Sequence, residues 1–229
     1  MIRVTKNLRN IRDLLAKSAA DAHRDAESIR LLAVSKKQPV SSVIEAAAAG
    51  QRDFGENFVQ EGLEKIAGTG RDDLSWHYIG HLQSNKTQAV ADHFDWVHTI
   101  DRFKIAERLS NQRPKQMRDL NICLQVNIDN EPGKSGIAVI EVMALARKIA
   151  VLPRIRLRGL MCLPKMRSGF NAQREPFARL RELSDTLLID GIEVDTLSMG
   201  MSGDFQAAIL EGSTIVRIGT AVFGPRERK

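Results

Sequence analysis

The sequence predicts an α/β protein built as a single (β/α)8 barrel over residues 1–229, with an extra helix at its N-terminus. Three observations carry this expectation. Short runs rich in Val, Ile and Leu alternate with amphipathic stretches from residue 29 onward, the pattern of a parallel sheet whose strands are joined by crossover helices. There are eight such units, and no linker divides them into halves, so the sheet can close on itself. Only a short tail follows the eighth strand, which leaves the N-terminal helix free to cover that side. An open, doubly wound sheet is the alternative, but it needs a boundary between two halves that the sequence does not show.

The elements follow in order. The first 30 residues, MIRVTKNLRNIRDLLAKSAADAHRDAESIR, carry apolar residues at helical spacing with charges throughout. Strands are expected at 29–35, 52–55, 74–80, 94–99, 120–128, 155–161, 193–198 and 214–218. Helices are expected at 40–49, 59–67, 84–92, 102–111, 137–150, 173–189 and 203–210.

Composition narrows the class. Hydrophobic residues make up 43% and charged residues 27%, the balance of a globular protein with a full core. The N-terminus lacks the apolar centre of a signal peptide and no run reaches membrane-span length, so a cytoplasmic protein without membrane attachment is expected. The two cysteines, Cys123 and Cys162, each lie in an apolar strand-like run and read as buried small hydrophobes. Net charge is +6 and the pI near 9.5. The basic residues are interspersed with acids, and the densest group, Arg154, Arg156 and Arg158, has no accompanying aromatic pattern. Nucleic acid is therefore not the expected partner; a small anionic molecule is.

Two distant segments carry the chemistry. Lys36 closes LLAVSK, and its parity matches Leu32 and Val34, so its amine can point into the barrel mouth. An amine held against apolar walls is a nucleophile. Lys37 points the other way and reads as surface. At the far end, Ser198-Met199-Gly200-Met201-Ser202-Gly203 runs from the seventh strand into a helix. Its glycines permit close backbone approach, and Ser202 occupies the place of an N-cap or phosphate-binding hydroxyl. Arg217, in TIVRIG, shares the parity of Ile215 and Gly219. A buried arginine needs an acceptor; the choices are a salt bridge inside the barrel or the ring nitrogen of a bound cofactor. Gly219 and Thr220 add backbone N–H groups and a hydroxyl. Asn57, in DFGEN, can reach the substituents of a ring. An amine facing a phosphate cradle suits pyridoxal 5'-phosphate (PLP), and phosphate sites in barrels favour the loops after strands seven and eight. A phosphorylated metabolite without PLP is the other ligand this pattern admits. Gly133-Lys134-Ser135 lacks the first glycine of a Walker loop, and His77 and His81 lie on a strand and its loop, where spacing of four creates no common face. No metal is expected.

Together these residues resemble the pyridoxal phosphate homeostasis protein family, whose fold is similar to the N-terminal barrel domain of alanine racemase. The stretches that carry the resemblance are LLAVSK, FGENFVQEG, WHYIGHLQSNK, HTID, KSGI, LRGLM, LSMGMSGDFQAAI and STIVRIGTAVFG. They arrive in order along nearly the whole chain. The resemblance implies that Lys36 holds PLP as a Schiff base and that Asn57 lies near the ring. It also implies phosphate contacts from Ser202, Gly219 and Thr220, Met201 beside them, and Arg217 at the pyridine nitrogen. The family often reads SKTKP after the first strand; this chain has SKKQP, with Gln38 in place of the second lysine.

The residues also bear on turnover. Racemisation needs a base on each face of the bound amino acid, and Lys36 can serve only one. The sole tyrosine, Tyr78, sits in the third strand, and an arginine at the ring nitrogen weakens the cofactor as an electron sink. The expectation is a monomeric protein that binds PLP in vitamin B6 and amino-acid homeostasis with little or no turnover, and that passes the cofactor to apo PLP-dependent enzymes. A PLP-dependent amino-acid racemase or related enzyme is the alternative. Lys134 is left with two roles, a second PLP-reactive amine or a loop salt bridge.

Overall fold

The computed structural model describes residues 2–224. Eight parallel strands close into a barrel in the order β1 to β8: β1 Arg30–Val34, β2 Asp53–Glu56, β3 Ser75–Tyr78, β4 Trp96–Ile100, β5 Leu120–Val126, β6 Ile155–Cys162, β7 Thr196–Ser198 and β8 Ile215–Ile218. The helices are α1 Ile2–Asp21, α2 Val40–Ala48, α3 Val59–Thr69, α4 Thr87–His93, α5 Phe103–Gln112, α6 Val142–Ala150, α7 Phe170–Ile189, α8 Phe205–Leu210 and α9 Thr220–Phe223. The barrel class and every expected strand are borne out. No helix among the described residues is long and apolar enough to cross a membrane.

Strand parity sorts the side chains into two cores, as the period-two geometry of a strand requires. Outward residues such as Leu31, Ala33, Val97, Ile122, Val216 and Ile218 join the helices in one large apolar layer. Inward residues Leu32, Trp96, Cys123, Met161 and Ile215 form a separate small cluster inside the barrel. Burial pushes both cysteine thiols up to about 12, so they behave as the buried hydrophobes expected. The rest of the interior is polar: His77, His98, Ser198 and Arg217 are all buried there.

Closure rests on β1 pairing with β8, with Leu32 opposite Arg217 and Ala33 opposite Ile218. The helix after β8 has only four residues, and α1 packs over this gap against α8 and α9. Asn7 Nδ2 donates to the carbonyl of Val222 at 2.9 Å. Arg24 donates to the carbonyls of Ile209 and Ser213 at 2.9 and 2.8 Å.

Several boundaries differ from expectation for local reasons. The first helix stops at Asp21, because His23 takes a left-handed φ of 54° and Asp25 then caps a short 3-10 turn over Ala26–Ser28. The helices expected from 84 and 137 begin instead as 3-10 turns at Ser84–Lys86 and Val139–Glu141. Ile137 bridges to Val126 and extends the sheet rather than the helix. The seventh strand is confined to three residues, and α7 starts at Phe170, earlier than expected.

The two buried imidazoles make stability depend on pH. Burial holds His98 well below its usual 6.5, helped by His77, Arg217 and Arg30. Burial also lowers His77, against the opposing pull of Asp53 and, more weakly, Asp95, and with further lowering by Arg30. Both rings stay neutral in the fold at a pH where the unfolded chain binds protons, so stability should fall on acidification through 6.5. The slope is about 1.4 kcal/mol per pH unit for each ring. Urea unfolding at pH 7 and 5.5 should show this loss, and a smaller pH slope in His98→Asn.

Candidate functional site

The C-terminal ends of the strands frame a cavity of about 290 Å3, at the end of the barrel where active sites form. Its wall includes Val34 and Lys36 after β1, Asn57 after β2, Ile79 after β3, Met161 and Leu163 of β6 and its loop, Met201, Ser202 and Gly203 after β7, and Arg217, Gly219 and Thr220 at β8. Lys36, Asn57, Met201, Ser202, Arg217, Gly219 and Thr220, the residues singled out from the sequence, thus line one space.

The backbone on both sides of Lys36 is clamped by a network the sequence did not reveal. Lys65, in α3, is 2% exposed. Its ammonium donates to the carbonyl of Ser35 at 2.6 Å and to Oε1 of Glu56 and of Glu61 at 2.7 Å each. Those are the three donors an ammonium has. Ser35 Oγ donates to Glu56 Oε1 at 2.6 Å, and Glu61 accepts from the backbone N–H of Lys37. Lys37 itself is exposed with a left-handed φ of 60°, the bend that turns the chain away after Lys36. Burial pushes the Glu56 carboxyl up, while the charge and hydrogen bond of Lys65 and the bond from Ser35 pull it down.

Asn57 follows Glu56 directly. Its Oδ1 is buried and has no hydrogen-bond partner among the described residues, an acceptor left open beside the cavity. Its position depends on Gly80: a Cβ there would lie 2.0 Å from the Asn57 carbonyl oxygen.

The turn after β7 is built differently from the N-capped helix expected. The residue before α8 is Asp204, and its Oδ1 accepts from the N–H of Met201 at 2.6 Å. Ser202 is therefore not the N-cap; it is exposed on the turn, on the cavity wall. Gly200 takes a φ of +94°, and its carbonyl accepts from the Arg217 N–H at 3.0 Å, which ties this turn to β8.

Arg217 is 5% exposed. One terminal nitrogen donates to the Ser198 carbonyl at 2.6 Å and to Ser198 Oγ at 2.7 Å; the other donates to the Cys162 carbonyl at 2.8 Å. Among the described residues it makes no salt bridge, so the ion pair weighed from the sequence is absent. Burial lowers its pKa, yet a guanidinium stays charged in proteins. The cavity thus has a cation on its wall whose hydrogen-bond partners are all neutral, with the Asp204 carboxylate acting on it through space.

A second cavity of about 230 Å3 adjoins the first and shares Asn57, Ile79 and Leu163 with it. Lys134, His81 and Gln125 line it, and Lys134 Nζ lies 3.5 Å from Glu131 Oε1. A loop salt bridge and a place on a cavity wall are both realised for Lys134.

These features fit PLP: an amine, an open acceptor, hydroxyl and glycine groups after β7 and β8, and a cation between them. The family of alanine racemase N-terminal domains matches residues 4–227. A pyridoxal phosphate homeostasis protein from Pseudomonas aeruginosa is 51% identical over 227 residues, covering 99% of this chain and 97% of that protein. The chain belongs to the pyridoxal phosphate homeostasis protein family. The Escherichia coli family member is 49% identical, with 98% and 97% coverage. Among solved structures, PipY of Synechococcus elongatus with PLP bound superposes with a TM-score of 0.85 at 35% identity, covering 97% of this chain and 100% of that one. A Clostridium difficile alanine racemase shares the fold at 14% identity, with a TM-score of 0.76 over 100% of this chain and 58% of its own.

Removing the Lys65 ammonium leaves Glu56 and Glu61 without their counter-charge and Ser35 without its clamp. Lys65→Met should destabilise the fold by about 3–5 kcal/mol, the usual cost of stranding a buried charge, measured by urea unfolding. The companion Lys65→Met/Glu56→Leu should recover part of that loss.

Proposed function

We propose that this protein binds PLP reversibly at the barrel mouth and serves PLP homeostasis without appreciable turnover. The single observation that carries this reading is the juxtaposition across the β1–β8 seam: the amine of Lys36 shares one cavity with Arg217, Gly219 and Thr220. Homeostasis proteins about half identical over nearly full length, and a relative's structure with PLP bound, support it.

When bound, PLP supplies an aldehyde that condenses with amines and a ring that withdraws electrons from them. Lys36 would hold the aldehyde end through its amine. Ser202, Gly219 and Thr220 would take the phosphate, with Met201 as an apolar wall beside it. Arg217 would donate to the ring nitrogen, and the open Oδ1 of Asn57 would accept from a ring substituent. Lys134 lines the adjoining cavity, with its Nζ 3.5 Å from Glu131 Oε1.

Two features favour holding over converting. A guanidinium donates a hydrogen bond but does not surrender its proton, so it leaves the ring a weak electron sink. Tyr78, the sole tyrosine, is 3% exposed and donates to the His81 carbonyl at 3.1 Å. Burial pushes its phenol up to about 12, which unfits it as a second base. We read the chain as one cytoplasmic, monomeric domain whose partners are PLP and the apo-enzymes that receive it.

The wild type should show a visible absorption band with PLP that borohydride bleaches, leaving the cofactor's mass on the Lys36 peptide. Lys36→Ala should lose both signals. Amino acids incubated with the holoprotein in D2O should show no catalytic exchange at Cα; sustained exchange that disappears in Lys36→Ala would establish the enzyme instead.

A further inference from the structure

A continuous hydrogen-bonded column runs down the barrel axis from the cofactor cavity to the opposite face. Arg217 donates to Ser198 Oγ at 2.7 Å. Ser198 Oγ lies 2.8 Å from His98 Nδ1, His98 Nε2 lies 2.9 Å from His77 Nδ1, and His77 Nε2 lies 3.0 Å from Asp53 Oδ1. Ser75 Oγ also meets His77 Nε2, at 3.2 Å. His77, His98 and Ser198 are fully buried. Asp53 opens β2 at the N-terminal end of the barrel, where its side chain is 18% exposed and meets Arg30 at 3.4 Å.

The two ends of this column fix its direction. A guanidinium can only donate and a carboxylate can only accept. Asp53 accepts from His77 Nε2, so the neutral His77 ring accepts on Nδ1 from His98 Nε2. His98 then accepts on Nδ1 from the Ser198 hydroxyl, which itself accepts from Arg217. Every buried donor and acceptor is satisfied with both rings neutral. The opposite tautomers would set two lone pairs against each other across the 3.0 Å contact between His77 and Asp53. A buried chain in which each bond points the same way polarises along its length.

We propose that Asp53, His77, His98 and Ser198 act as positioning residues that hold Arg217 toward the ring-nitrogen end of the bound cofactor. The carboxylate at the far face, through the two imidazoles, makes Ser198 Oγ a stronger acceptor, and that contact sets the orientation of the guanidinium. The inference rests on the PLP reading of the site and deepens it.

The test is histidine-selective 15N NMR of the full-length protein at pH 7, free and titrated with PLP, with uptake followed by visible absorption. The ligand-free protein should show both imidazoles neutral and protonated on Nε2. PLP should shift the ring signals of His98 and of His77, although His77 lies two links beyond Ser198. Ser198→Ala, a small change, should abolish the His77 response and weaken PLP binding by about tenfold, the scale of one hydrogen bond to a charged group. Asp53→Asn, which can still accept from His77 but carries no charge, should move the His98 Nδ1 signal and weaken PLP by a smaller factor. An Nδ1-protonated or cationic His98 in the free protein would overturn the column, as would PLP uptake that leaves both rings unmoved. A wild type that takes up no PLP would instead overturn the reading of the site.

Discussion

The seam between β1 and β8 is the constraint on which everything else depends. Closing the eight-stranded sheet pairs its two edge strands and leaves no row of edge backbone groups open. Closure sets Leu32 opposite Arg217 and Ala33 opposite Ile218. It therefore brings the end of the first strand beside the loop after the last, and so joins an amine to a cation and a glycine-threonine turn. The seam is also thinly covered on the outside, since α9, the helix after β8, is a single turn. The long first helix covers it through apolar contacts and the side chain of Asn7, and Arg24, just past its end, bonds two further carbonyls. The N-terminal helix is thus part of what holds the two halves of the site together.

Two polar devices then give the mouth its geometry, and they approach it from opposite sides. Beneath β1 the Lys65 ammonium gathers two carboxylates and the Ser35 carbonyl, and fixes the backbone on which Lys36 stands. Within the barrel the histidine column sits under Arg217. Both are buried, and buried polar networks are tolerable only when nearly every member is satisfied. The first has one acceptor over, Glu56 Oε2; the second has none. Apolar side chains would fill the same space at less risk. The cost is reasonable where a side chain must be held in one orientation, and the two devices converge on the two side chains that bracket the cavity.

The sequence shows most of the fold because barrel strands have a plain signature. Each is short, β-branched and bounded by turn residues, and every expected strand forms. Its failures lie where local chemistry overrides periodicity, as at His23, where a left-handed residue stops α1. Side chains reached through strand parity, Lys36 and Arg217, were legible for the same reason. Lys65 was not, because a lysine in an amphipathic helix reads as surface; only its contact with Glu56 at the end of β2 makes it internal. His77 and His98 escaped for a related reason. Their partnership is made across strands rather than along the chain, and no spacing within the sequence records it. The one available signal was parity: His98 shares its strand face with Trp96, two residues earlier.

The charge arrangement bears on the proposal that the site holds PLP rather than turning it over. Arg217 is hydrogen-bonded by neutral groups alone, and the carboxylate that acts on it, Asp204, does so without a direct ion pair, so its charge is only partly offset toward whatever occupies the cavity. Ser198, polarised from below, holds that guanidinium without neutralising it. Had Asp53 sat directly against Arg217, the ion pair would have cancelled the field in the cavity; placed at the far end of three intervening groups, it orients the cation and leaves the charge in place. A cation that is held but not neutralised favours an electron-rich ring nitrogen in its unprotonated form. That form withdraws electrons poorly, in keeping with the proposed holding role.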